Sequence, residues 1–126
     1  MKKSLITGIL SFVAVLIGIY FKIPTWAMFL GWVSFGVWEG NIKRSLPNNI
    51  MGALLAYIAV LIGGAFGTGL IAGIMHFIST KSNKINLLTL FLGGIAIFAY
   101  VGNPLVPITA LVIGNIIGLI ESKIPL

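Results

Sequence analysis

The sequence contains no cysteine, two acidic residues and one histidine. The lack of cysteine excludes disulfides and thiolate metal sites. One imidazole and two carboxylates, one of them Glu121 near the C-terminus, are too few for a usual zinc site, a Ser-His-Asp triad or a carboxylate dyad. We therefore expect no catalytic residues, no metal site and no cofactor, and we do not expect an enzyme.

Charged side chains are scarce as well. They make up 8% of the 126 residues, whereas soluble domains carry about 25%. With 59% hydrophobic residues and a mean hydropathy of +1.14, the chain cannot cover a water-exposed surface. The composition predicts an integral membrane protein whose main partner is the lipid bilayer. Because the apolar runs are continuous rather than alternating, they favour an all-α protein over a β-barrel.

The net charge of +6 does not indicate a nucleic-acid-binding protein. The basic residues are scattered singly or in pairs, without the basic helix or stripe that binds phosphates, so no nucleic-acid partner is expected. Basic residues that flank apolar segments are instead typical of loops that stay in the cytoplasm.

The longest uncharged stretch covers residues 45–80, with 36 residues and no Lys, Arg, Asp or Glu. One straight helix of that length would measure about 54 Å, against about 30 Å for the hydrocarbon core of a bilayer. The sequence GGAFGTG at residues 63–69 lies in its middle, and clustered glycines allow a sharp turn. We therefore predict two short spans here and six in all, some short enough to be re-entrant. The six segments are 4–21, 24–38, 47–64, 65–80, 85–102 and 104–120.

The basic residues indicate how these segments are oriented. With six spans and a cytoplasmic N-terminus, seven of the eight Lys and Arg residues are cytoplasmic and Lys22 is outside. If residues 45–80 formed one span, five of the eight basic residues would be cytoplasmic and three would be outside. The positive-inside rule therefore favours six spans with both termini in the cytoplasm. The seven residues are Lys2, Lys3, Lys43, Arg44, Lys81, Lys84 and Lys123.

An internal similarity supports the same organisation. Seven positions are identical when residues 22–41 are aligned with residues 84–103 at a constant shift in numbering. They include a Phe-Leu-Gly and a Gly-Asn sequence. Chance is the alternative, because apolar segments use few residue types. A true repeat would comprise units at about 4–64 and 66–120, within one transmembrane domain. Three spans per unit would invert the second unit in the membrane, as in many transporters.

Two motifs resemble a known family. They are similar to sequences of the bacterial inner-membrane family called domain of unknown function 1097. The motifs are TGILS at residues 7–11 and WAMFLG at residues 26–31, and FLGG at residues 91–94 is similar as well. The resemblance implies a small multi-pass protein of the bacterial inner membrane. It carries over neither a function nor site residues.

Uncharged polar residues are the best candidates for a solute path. Pro47 and Pro104 are expected to begin helices at opposite membrane faces, where free N–H groups and nearby amides can bind a neutral solute. The alternative is that these residues only cap helices or join them. The candidates are Asn48, Asn49, Asn103, Thr109 and Asn115.

Two ionisable residues are candidates for a gate or vestibule. Glu39 and His76 are expected on the same membrane side, so they could meet. The alternatives are a headgroup-level pair of Glu39 with Lys43, and an interfacial imidazole at His76. Glycines four residues apart are instead candidates for helix packing, because they permit close approach. They are Gly36, Gly40, Gly69, Gly73, Gly114 and Gly118.

These features favour a channel or facilitator for a small neutral or weakly charged polar solute. The alternatives are a structural or accessory membrane subunit and a small proton-coupled transporter. A continuous path lined by the polar residues would favour transport, and dry packing would favour the accessory subunit. Because 126 residues are few for enclosing a pore, we expect a homo-oligomer.

Overall fold

The computed structural model of the protein describes residues 2–100 and 102–124. Within them the chain is all helical, which confirms the predicted fold class in outline. Helices α1, α3 and α6 are long and apolar enough to cross a membrane, whereas α2 and α5 are shorter apolar helices. The helices are α1 Lys2–Phe21, α2 Thr25–Val37, α3 Ile42–Ile62, α4 Gly64–Lys81, α5 Leu87–Phe98 and α6 Leu105–Lys123.

Four helices form the centre of the core, and α1 and α4 pack against them and contribute a few buried residues. Helix α3 packs most extensively on α5, and α2 packs most extensively on α6. Helix α1 contacts α2 and α6, and α4 contacts α3 and α5. Many large apolar side chains point outward, among them Tyr20 on α1 and Phe66 on α4. An outer surface of this kind suits contact with lipid.

The glycine turn within residues 45–80 is where the chain reverses. Helix α3 ends at Ile62 and α4 begins at Gly64. Gly63 has φ 88° and Gly64 has φ 65°, a backbone conformation that costs glycine little and other residues more. The predicted break in this stretch is therefore confirmed.

The start of α3 differs from the prediction. The helix begins at Ile42, well before Pro47, so the expectation that Pro47 opens a helix is wrong. The side chain of Asn41 accepts a hydrogen bond from the Lys43 N–H at 3.1 Å and caps the helix. Pro104 does lie directly before α6, where Asn103 accepts from the Leu105 N–H at 3.0 Å.

Glycines bring the core helices into backbone contact. A Cβ atom built on any of four glycines would lie within 3.0 Å of a backbone oxygen of the facing helix. No side chain fits there without moving a helix. The pairs are Gly31 with Leu111, Gly114 with Met28, Gly52 with Leu90, and Gly93 with Asn49.

Candidate functional site

A cluster of uncharged polar side chains is buried where α2, α3, α5 and α6 meet. Buried polar groups in an apolar protein are costly unless they are hydrogen-bonded, so their partners decide what the cluster can do. Its members are Ser34, Ser45, Asn48, Asn49, Thr89 and Asn115.

Asn49 is the centre of this polar cluster. Its Nδ2 donates to the Ser34 Oγ at 2.8 Å and to the Thr89 carbonyl at 2.9 Å. Its Oδ1 accepts from the Asn115 Nδ2 at 3.0 Å. Ser34, Thr89 and Asn115 belong to α2, α5 and α6. One amide on α3 therefore connects all four core helices.

The other hydrogen-bond donors and acceptors of the polar cluster also have partners within the chain. Asn115 Nδ2 donates to the Leu111 carbonyl at 2.9 Å, and its Oδ1 accepts from the Ser45 hydroxyl. The Ser34 hydroxyl donates to the Leu30 carbonyl at 2.9 Å. Across residues 2–100 and 102–124, each buried side-chain nitrogen and oxygen has a hydrogen-bond partner. In this conformation the polar cluster is closed, because its buried hydrogen-bonding groups are satisfied by other groups of the chain.

Asn48 makes a separate connection from α3 to the segment between α4 and α5. Its Nδ2 donates to the Arg44 carbonyl at 2.7 Å and to the Lys84 carbonyl at 3.0 Å. Its Oδ1 accepts from the Asn86 N–H at 2.9 Å. Trp38 continues this network by donating its indole N–H to the Thr89 hydroxyl at 3.2 Å.

The five predicted solute-path residues therefore fall into two groups. Asn48, Asn49 and Asn115 are buried in the core, whereas Asn103 and Thr109 are exposed near the start of α6. The Asn103 side chain accepts from the Leu105 N–H just before that helix, and the Thr109 hydroxyl donates to the Leu105 carbonyl at 2.7 Å. Asn115 lies about 15 Å of helix beyond the start of α6. A role of all five on one solute path stays a prediction.

Glu39 and His76 have different neighbours. Glu39, with φ 53°, is exposed in the segment between α2 and α3. His76 is exposed on α4, where its ring meets the edge of Phe91 with 5.9 Å between centroids. A direct contact between Glu39 and His76, which the sequence left open, is not present.

Glu39 lines a cavity that the sequence did not indicate. The cavity has a volume of about 370 Å³ and lies between the first turn of α1, the end of α2 and the end of α6. Glu121 lines it too, so both acidic residues of the chain border one space. Lys3 and the aromatic rings of Trp32 and Phe35 complete much of its wall. We call it the carboxylate cavity.

The predicted packing glycines behave in different ways. Gly114 and Gly118 contact Met28 and Phe35 of α2. Gly36, Gly69 and Gly73 would have open space around an added Cβ, so they are not packed against another helix within the described part of the chain. Gly40 has φ 86° and serves the turn after α2.

Four glycines that pack closely on a facing helix were missed as packing sites: Gly31, Gly52, Gly67 and Gly93. For Gly31 and Gly93 the signal was present, because both close the Phe-Leu-Gly match between residues 22–41 and 84–103.

The comparisons with known proteins agree with the resemblance found in the sequence. The family model described as "Protein of unknown function (DUF1097)" matches residues 4–125, nearly the whole chain. The resemblance based on TGILS and WAMFLG is thereby confirmed. No curated protein and no solved structure matches the chain.

Proposed function

We propose that this chain, which belongs to the DUF1097 family of proteins of unknown function, consists of two inverted three-helix units and carries a small neutral polar solute across the bacterial inner membrane. The proposal includes six membrane segments with both termini in the cytoplasm. The observation that carries it is a set of core contacts that recurs in both halves of the chain. Residues in the two halves are related by the constant shift in residue number that takes Lys22 to Lys84. We call this the repeat shift, and residues that it relates are equivalent.

The helix starts follow the repeat shift. It takes the start of α1 at Lys2 to the start of α4 at Gly64, and the start of α2 at Thr25 to the start of α5 at Leu87. It also takes Ile42, the start of α3, to the residue directly before Leu105, where α6 begins. Three helices in each half, in the same order, support a repeat unit of three helices.

The glycine contacts follow the same shift. Gly31 meets Leu111, and the residues equivalent to these two are Gly93 and Asn49, which also meet. In the same way, the contact of Gly114 with Met28 corresponds to the contact of Gly52 with Leu90. Each unit therefore presents equivalent residues to the other, which is the pattern of a two-fold interface.

Burial supports the relation along the second helix of each unit. The buried residues of α2 all have buried equivalents in α5. These positions are Ala27, Met28, Gly31, Ser34 and Phe35 in α2, and Thr89, Leu90, Gly93, Ala96 and Ile97 in α5.

Inverted repeats support transport because they provide two related conformations, each open to one membrane face. The polar cluster breaks the symmetry: the residues equivalent to Ser34, Asn49 and Asn115 are Ala96, Leu111 and Ala53. In the proposed topology the cluster lies toward the cytoplasm and acts as the closed gate. Because it presents amides and hydroxyls without charge, it suits a neutral solute with hydrogen-bonding groups.

The second candidate is a structural or accessory membrane subunit. It is supported by the closed polar cluster, whose buried atoms have their partners within the described part of the chain, and by the backbone contacts at the glycines. In either case the exposed Gly69 and Gly73 of α4 are available for contacts between copies, in keeping with a homo-oligomer.

Proteoliposome flux tests the proposal. Purified protein is reconstituted, and entry of a panel of small neutral solutes such as urea and glycerol is followed by swelling. The folded protein should accelerate entry of at least one solute above the rate of empty liposomes. Ser34→Ala and Asn115→Ala, which introduce the residue found at the equivalent position, should change that rate about fivefold, since each removes hydrogen bonds worth about 1 kcal/mol.

Thr80→Val is the matched control, because the exposed Thr80 hydroxyl donates to the Phe77 carbonyl of its own helix. It should leave the rate unchanged. If the folded, reconstituted protein accelerates no solute in the panel, the transport proposal fails and the accessory subunit becomes the better account.

A further inference from the structure

The carboxylate cavity holds every acidic side chain of a protein that is otherwise basic. We propose that this cavity, with the apolar groove next to it, binds one phospholipid whose zwitterionic headgroup carries a primary amine. The proposal concerns a lipid site and does not depend on solute transport.

The charges around the cavity complement such a headgroup. Glu39 and Glu121 offer carboxylates to an ammonium group, and Lys3 offers a cation to a phosphate. Trp32 adds an aromatic ring to the lining, and the face of such a ring attracts an ammonium group. An anionic headgroup would face two carboxylates and a single cation among the residues that line this cavity, which disfavours it.

An apolar groove continues from the carboxylate cavity. Trp32 lines both spaces, and the groove is bounded further by Phe29 and Val33 of α2 and by Thr7 and Ser11 of α1. Its volume is about 370 Å³. The Thr7 hydroxyl also donates to a carboxylate oxygen of Glu121, so one contact joins the groove to the cavity.

The order of these features along α2 matches the order of groups in a lipid. Glu39 follows the end of α2, where headgroups lie if the helix ends mark the membrane surface. Phe29 lies about 12 Å of helix before Val37, the last residue of α2, at a depth where acyl chains lie. Charged groups at one end and an apolar groove at the other favour a membrane lipid over a soluble amine.

The other half of the chain contains an equivalent groove without the charges. It is lined by Thr68, Phe91 and Ile95, and Gly94 stands where the first groove has Trp32. The residue equivalent to Glu121 is Ala59. The second groove therefore serves as a built-in control, and we expect one tightly bound amine-bearing lipid per chain.

Lipid retention measured by native mass spectrometry tests the proposal. Detergent-purified protein is incubated with phosphatidylethanolamine, phosphatidylcholine or phosphatidylglycerol of the same acyl chains. Phosphatidylethanolamine should be retained at least about fivefold more than either, since its ammonium N–H groups make charge-assisted hydrogen bonds with the carboxylates. The double variant Glu39→Gln and Glu121→Gln should lose this preference, while Lys81→Gln, which removes an exposed cation of α4, should keep it.

The groove is tested with a second pair of variants. Val33→Trp should fill it and lower retention, whereas Ile95→Trp, at the equivalent position of the other groove, should not. Both side chains are about half exposed, so both substitutions are compatible with folding, which size-exclusion chromatography checks. Soluble glycerophosphoethanolamine at the same concentration as the lipid should not displace it.

Three results would overturn the proposal. They are equal retention of phosphatidylethanolamine and phosphatidylcholine by the unmodified protein, an unchanged preference in the glutamine double variant, and displacement of the lipid by glycerophosphoethanolamine. The last result would assign the cavity to a soluble amine and leave the groove unused.

Discussion

The side-chain amide of Asn115 on α6 donates to the side-chain oxygen of Asn49 on α3, at 3.0 Å, inside the helical core. Both side chains are buried, and the surrounding helices exclude lipid from the bond. In the proposed repeat, the residues equivalent to Asn49 and Asn115 are Leu111 and Ala53. The bond therefore joins the two proposed units at a place where the equivalent pair is apolar.

A double-mutant cycle measures this bond. Asn49→Ala and Asn115→Ala should each lower the free energy of unfolding by about 1–3 kcal/mol, because each leaves buried polar partners unsatisfied. The double variant should lose less than the sum, with a coupling of about 0.6 kcal/mol or more. Unfolding in mixed detergent micelles gives the values, and Thr80→Val is the neutral control. Strictly additive losses would mean that the two amides do not stabilise each other.

The glycine contacts make a second prediction. Gly31→Ala and Gly93→Ala should each lower the free energy of unfolding by about 1–3 kcal/mol or more, because the added methyl group meets a backbone oxygen and forces helices apart. Gly69→Ala, where an added methyl group meets open space, should be neutral or stabilise by up to about 1 kcal/mol through helix propensity. Melting temperature in detergent compares the three.

An equal loss at all three glycines would contradict this account of the core contacts. A loss at Gly69 that appears only in an oligomeric fraction would instead indicate that this glycine packs between copies.

Much of the helical layout was predictable from local features. Apolar length and the clustered glycines Gly63 and Gly64 were enough to divide residues 45–80 into two helices. The start of α3 was not predicted, because Pro47 was expected at the first helical position. The cap at Asn41 extends the helix earlier instead, and Pro47 is accommodated inside it, exposed on the outer surface.

The polar cluster was predictable only in part. Asn49 and Asn115 were noticed because amides are unusual within apolar segments. Ser34, Ser45 and Thr89 were passed over, since hydroxyls in helices often satisfy themselves on their own backbone. Their cross-helix partners depend on which helices pack together, and the local pattern does not contain that information.

The carboxylate cavity could not be predicted at all. Glu39 and Glu121 lie far apart in the sequence, one in each half of the chain, and no periodicity connects them. They share a cavity because α2 packs on α6, a pairing across the two proposed units.

The most direct test of the central claim is the orientation of equivalent positions in the two units. The repeat shift takes Phe21 to Asn83; both are exposed at or just after the end of the first helix of their unit, and neither carries a charge that sets topology. Because the chain has no cysteine, Phe21→Cys and Asn83→Cys are single-cysteine proteins. With a membrane-impermeant maleimide, Phe21→Cys should label in intact cells, and Asn83→Cys should label only after permeabilisation. Labelling of both from the same side would show that the units are parallel, and would contradict the inverted arrangement.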